Sequence, residues 1–192
     1  EKVTGLDLVA LQLMVAQGGH LSLTQESIVC HGHAIECRIY CERPENNFLP
    51  ATGTIALYSY REHPQARYDH SIRTPHKVTP LFDPMLSKIT THASTRSIAI
   101  ASMQLLLADY TIVGVQTNRD FLRHILAQPA FVAATLHTQS MPHLLANFTS
   151  PISSTTTLPL AHAGAIANIL TLTRTLPHTP QTQHSWRGNR WK

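Results

Sequence analysis

HAIECRIYCERPENNFLPATGTI, residues 33–55, is the stretch whose reading decides the fold. Its first half alternates. Ile35, Cys37, Ile39 and Cys41 fall on one side of an extended chain and Glu36, Arg38 and Tyr40 on the other, because successive side chains of a strand point to opposite faces. The first set predicts a core face. The second predicts a polar face on which Arg38 stands between a glutamate and a tyrosine, and a strand holds such a cation more rigidly than a loop does. Residues 44–47 break the strand. After Phe48, Leu49 and Pro50, the Thr52-Gly53 turn leads into a second strand over 54–58.

Working outward toward the start, Thr4 with Asp7 three residues on makes a capping-box-like signal. Leu6, Val9, Ala10, Leu13 and Met14 then recur at helical spacing until Gly18-Gly19. A helix over 5–17 is expected, then a connector over 20–25, then the opening strand over 28–41. Working outward in the other direction, further strands are expected over 67–72, 77–79 and 86–92, with 81–85 as a turn between the last two. Thr95 caps a helix running to 109 with Ile98, Ala101, Met103, Leu105 and Leu106 on its apolar side. Residues 110–113 are β-branched and end at Gly114, and Asn118 is expected to N-cap a helix containing Phe121, Leu122, Ile125 and Leu126 that stops at Pro129.

Past Thr135 the pattern weakens. Residues 149–157 are rich in Ser and Thr, 160–173 is a helix candidate, 177–184 is linker-like, and Trp186 and Trp191 read as the first residues of a following element. The expected architecture is α+β, a mainly antiparallel sheet packed with helices over 1–147, followed by a linker and helical tail over 148–192.

Composition narrows the function classes. The net charge is +4, and the basic residues are scattered, with no dense basic helix and no basic-aromatic interleaving, so a nucleic-acid partner is not indicated. No apolar run reaches the roughly 20 residues that span a bilayer, so no membrane association is indicated. The three cysteines, an odd number crowded into residues 30–41, do not form a secreted disulfide framework and fit a reducing compartment. The chain opens at Glu1 without an initiator methionine, just before a helix start, which reads as a piece of a longer chain.

Several motifs carry a resemblance in order and spacing. They are E-x-V-T-G-L-D-L-V at the start, L-T-Q-E at 23–26, G-H-A-I-E-C-R-I-Y at 32–40 and F-L-P-A-T-G-T-I at 48–55. F-D-P-M-L-S-K at 82–88, T-R at 95–96 and V-G-V-Q-T-N-R-D-F-L at 113–122 complete the set. Together, from Glu1 to about Thr138, they resemble the C-terminal domain of biotin carboxylase, the ATP-dependent component of biotin-dependent acyl-CoA carboxylases. Residues 58–67 and the tail at 185–192 look most like the α subunit of 3-methylcrotonyl-CoA carboxylase, with propionyl-CoA and acetyl-CoA carboxylases as alternatives.

The resemblance implies a function and a division of labour. ATP and Mg2+ or Mn2+ are expected to be held by an ATP-grasp region upstream of this segment, so the isolated fragment is expected to be inactive; the parent uses ATP to activate bicarbonate. Biotin is expected to arrive on a biotin carboxyl carrier domain, and a carboxyltransferase subunit is expected to choose the acyl-CoA. The parent is expected to be a homo-oligomer, in the mitochondrial matrix if eukaryotic and in the cytoplasm if bacterial. Arg38 aligns with the family's catalytic, biotin-contacting arginine, which meets the ureido oxygen as negative charge develops there. A guanidinium stays protonated throughout, which suits that task. Glu36, on the same face, and Asp83, beside a proline in the turn, are candidates to orient Arg38. An exposed strand glutamate and a turn-closing aspartate are their plainer readings. Lys88 is a weaker candidate, and Arg67 resembles a position near the family's subunit interface or is an ordinary surface arginine.

Two rivals remain from the residues alone. Cys30, His31, His33, Cys37 and Cys41 crowd together like metal ligands, but Cys37 and Cys41 on one strand lie about 13 Å apart at roughly 3.3 Å per residue, too far for one zinc ion. They are better read as buried apolar groups, and no metal site is expected. The other rival is a non-catalytic protein-interaction module that uses the histidines and the Ser/Thr-rich tail.

Overall fold

The computed structural model describes residues Glu1–Ser150. The helix candidate at 160–173, the linker at 177–184 and both tryptophans lie outside the described residues.

The chain builds a small set of antiparallel ladders around one long helix. Strand β1 (His33–Tyr40) pairs with β8 (Met85–Ala93), and β8 pairs in turn with β6 (Ala66–His70), giving the order β1-β8-β6. Two-stranded ladders join β2 (Glu42–Arg43) to β3 (Leu49–Pro50), β4 (Gly53–Ile55) to β7 (His76–Val78), and β5 (Leu57–Ser59) to β9 (Thr111–Val113). Helix α2 (Arg96–Asp109) packs its Ala99, Ile100, Met103, Leu106 and Leu107 against the inner face of the sheet. That face contributes Ile35, Cys37 and Ile39 from β1 and Ile89 from β8. Burying side chains of this size stabilises the fold by about 1.5–3 kcal/mol each.

The alternation in β1 is therefore a real strand with one buried face, and the α+β reading holds. Thr95 caps α2 as expected, its hydroxyl accepting from the Ile98 amide at 3.3 Å. The apolar side of α2 differs from expectation, because Ile98, Ala101 and Leu105 are exposed while Ala99, Ile100 and Leu107 are buried. Three smaller helices follow: α3 (Arg119–Leu126), α4 (Pro129–Val132) and α5 (Met141–Ala146).

Several boundaries shift for identifiable reasons. The opening strand begins at His33, not at 28. Residues Gln25–Ser27 form a tight helical turn, and Gly32 adopts φ +65° where a Cβ would collide with the Ala93 carbonyl oxygen. The first helix, α1 (Leu8–Ala16), starts later than expected because Asp7 caps it, its Oδ1 accepting from the Ala10 amide at 2.9 Å. The single strand expected over 54–58 is two, because residues on either side of Ala56 pair with different partners, β7 and β9. Gly114 permits this crossing, since at φ +113° a Cβ there would run into the Thr54 carbonyl oxygen. Thr74–Pro75 is a cis peptide just before β7.

Helix α1 forms where its spacing predicts a helix, yet it buries none of its residues. Leu8, Val9, Leu13 and Val15 are all exposed. Among the described residues no helix is long and apolar enough to cross a membrane.

Candidate functional site

Directly opposed residues of an antiparallel pair share a face, so register decides which charges meet. On the outer face of the three-stranded sheet, Arg38 stands opposite Lys88, and Lys88 opposite Asp69. One row along, Glu36 faces Thr90 and Thr90 faces Arg67. The two halves of this face are wired differently. On the β6 side Asp69 is shared: Arg67 Nε donates to its Oδ1 at 2.8 Å and Lys88 Nζ lies 3.3 Å from its Oδ2. Arg67 also approaches Glu1 at 3.9 Å. On the β1 side Arg38 Nε donates to Glu36 Oε1 at 3.0 Å, and the terminal guanidinium nitrogens form no ion pair among the described residues. A cleft of about 260 Å³ lies on the Glu36–Arg67 side, lined by Glu36, Arg67, Asp69, Lys88 and Thr90 together with the N-terminal residues.

The Arg38 side chain is 59% exposed, and its bond to Glu36 holds its pKa above even the usual arginine value. The site thus offers a permanently charged donor aimed outward from a rigid strand. Behind it the thiols of Cys37 and Cys41 are buried, and desolvation pushes both up to about 12. They are protonated core groups, as expected, whereas Cys30, read the same way from sequence, is exposed because it precedes the strand. Among the described residues no group of three or more His, Cys, Asp or Glu side chains could hold a metal ion.

The structure brings together only some of the residues singled out from sequence. Glu36 does pair with Arg38. Asp83 does not meet Arg38; its Oδ1 accepts from the Met85 amide at 2.9 Å, closing the turn into β8. Lys88 and Arg67 belong to the Asp69 network. Asp69 itself was not anticipated, although its place two residues after Arg67 on a strand put both on one face.

Asn118 was read as a helix cap and does something else. Its side chain makes no cap hydrogen bond to α3. Instead its Nδ2 donates to the Arg38 carbonyl at 3.1 Å, and its Oδ1 accepts from the Tyr40 amide at 3.0 Å. Its own backbone amide donates to the Tyr40 carbonyl at 3.1 Å. Asn118 also hydrogen-bonds Glu42, whose pKa burial raises while that bond lowers it. Only its place inside the V-G-V-Q-T-N-R-D-F-L motif marked it in the sequence.

Comparison with known proteins finds relatives of this chain in sequence and in fold. The model of the family described as "Biotin carboxylase C-terminal domain" matches residues 36–143. The chain is 38% identical over 143 residues to the mouse "Methylcrotonoyl-CoA carboxylase subunit alpha, mitochondrial", covering 74% of this chain and 20% of the relative. It is 40% identical over 133 residues to "Biotin carboxylase" of Halalkalibacterium halodurans, covering 69% of this chain and 29% of the relative. The crystal structure of the biotin carboxylase subunit of pyruvate carboxylase superposes with a TM-score of 0.69 at 34% identity, covering 77% of this chain and 33% of that one. The chain thus spans less than a third of these curated relatives.

Proposed function

This chain belongs to the biotin carboxylase C-terminal domain family, and on that premise we propose that it is the C-terminal part of a biotin carboxylase within a biotin-dependent carboxylase. In this reading the parent enzyme carboxylates carrier-borne biotin with ATP and bicarbonate. ATP and its metal ion are, in this reading, bound by an ATP-grasp region of the parent enzyme that precedes this segment. Biotin is the substrate met by this chain's own residues.

The observation that carries the reading is Arg38. It is fixed on a strand, held by Glu36 through Nε, and exposed at its charged end. Such a group fits a neutral ureido oxygen that gains negative charge as the neighbouring nitrogen loses its proton. A donor that is already oriented and charged needs no reorganisation at that moment, so it favours the charged state over the neutral one. Glu36 serves as the orienting partner. Asp83 contributes by fixing the turn that starts β8, the strand opposite Arg38.

The mouse relative favours 3-methylcrotonyl-CoA as the final acceptor, selected by a carboxyltransferase partner. In the full-length enzyme, Arg38→Ala is expected to lower biotin carboxylation by roughly 10²–10³-fold, the usual cost of losing one preorganised donor. Carboxylation at the full rate would remove Arg38 from the mechanism. Assay of the assembled enzyme against 3-methylcrotonyl-, propionyl- and acetyl-CoA tests the acceptor.

A further inference from the structure

We infer that Asn118 is a positioning residue for Arg38, acting through the backbone of β1; this rests on the reading of Arg38 given above. Strand β1 is the edge of its sheet, with β8 on one side only. Within a strand, the carbonyl of one residue and the amide two residues on project toward the same edge. At the Arg38–Tyr40 step, a single carboxamide fills that edge, donating to one group and accepting from the other as a neighbouring strand would. The backbone amide of Asn118 adds a third bond to the same place.

The location matters as much as the bonds. The β1–β8 register shifts between Ile39 and Tyr40, so the ladder is interrupted one residue past Arg38. A bulge re-aims the side chains beside it and weakens the pairing that would hold them. Asn118 brackets this interruption. It is only 6% exposed, so water does not compete for these bonds. The residue has no capping duty to explain its amide, since no such bond is made and its backbone (φ −77°, ψ 6°) is not the extended one of a capping residue. No other common side chain replaces it. Asp would set a carboxylate oxygen against the Arg38 carbonyl and beside Glu42, and Ser is too short to reach both groups. Because Arg38 is long and half-exposed, a small turn of its backbone moves its charged end much further.

The test measures kcat with free biotin in the full-length enzyme. N118D and N118S are each made with Arg38 present and in the Arg38→Ala background. With Arg38 present, both are expected to lower kcat about 10–100-fold with the KM for ATP unchanged, the scale set by misplacing a reacting group by about 1 Å. In the Arg38→Ala background the further loss is expected to stay within about twofold, since a residue that acts through Arg38 has nothing left to aim. An equal loss in both backgrounds would make Asn118 a general structural residue and overturn the inference, as would full kcat in either variant. If Arg38→Ala itself runs at the full rate, the reading of Arg38 fails first, and visibly so. Should neither variant fold, amide exchange in the wild-type enzyme decides: slow exchange at Tyr40 supports the clamp, and exchange as fast as at an exposed loop amide refutes it.

Discussion

The two faces of β1 are made by the same residues in alternation and obey opposite rules. Ile35, Cys37 and Ile39 are 6%, 5% and 0% exposed, fixed by contact with α2 and β8. Glu36 and Arg38 hold each other through an ion pair, and the neighbouring Tyr40 side chain adds a hydrogen bond to Arg38. On the inner face position follows from packing, because many atoms press on each side chain. On the outer face packing supplies little, so a polar group there takes its aim from the backbone beneath it and from its neighbours along the strand, as Arg38 does from Glu36 and Tyr40. Rigidity comes from below and chemistry is presented above.

Substitutions on the two faces should separate the two roles. The largest effect is expected from Arg38→Ala, whose loss of about 3–4 kcal/mol in the biotin-dependent barrier should leave the denaturant midpoint within about 0.5 kcal/mol of wild type. A comparable loss of stability would mean that the outer face also carries packing. Next comes Tyr110→Phe, beneath the sheet. It removes the 2.6 Å bond between the Tyr110 and Ser87 hydroxyls and strands a buried serine, so equilibrium unfolding should register a loss of about 1–3 kcal/mol. Carboxylation per folded molecule should be unchanged. Smaller again, Ile39→Val removes one methylene at a fully buried position, and its cost of about 0.5–1.5 kcal/mol should be read in stability alone.

The smallest effect is one of pH. His70 on β6 bonds the Tyr60 hydroxyl through Nε2 at 3.0 Å, while its Nδ1 is buried without a hydrogen-bond partner among the described residues. Burial lowers its pKa below 6.5, and neighbouring Asp69 only partly opposes this. The folded chain therefore prefers the neutral ring. Above pH 6.5 the contribution is intact. As pH falls through 6.5 toward the lowered folded value, the unfolded state takes up the proton first and stability drops. Denaturant midpoints measured down this range should fall more steeply for wild type than for His70→Gln; parallel slopes would show that the ring is not the group responsible.

Much of this molecule is legible in its sequence because period-two alternation and helix caps are local signals. The strand around Arg38, the Thr95 cap and the buried cysteines all follow from neighbours within a few residues. What is not legible depends on distant partners. Nothing near Asn118 tells that its amide is spent on residues 38 and 40 instead of on its own helix. The split at Ala56 requires knowing that β7 and β9 arrive on either side of it. Helix α1 shows the same limit from the other direction. Its spacing fixes a helix, but spacing says nothing about which surface its leucines and valines meet. Asp83 shows how a motif can be read correctly in order and wrongly in reach, for its carboxylate stops at the Met85 amide.

The clamp on β1 also has a history in time. Its two halves are separated by 78 and 80 residues of chain. At about 5–20 residues per second, a ribosome would expose Arg38 roughly 4–16 s before Asn118 follows it. A nascent chain in that interval carries the charge without its orientation, so the aimed arginine is among the last features of the domain to be made.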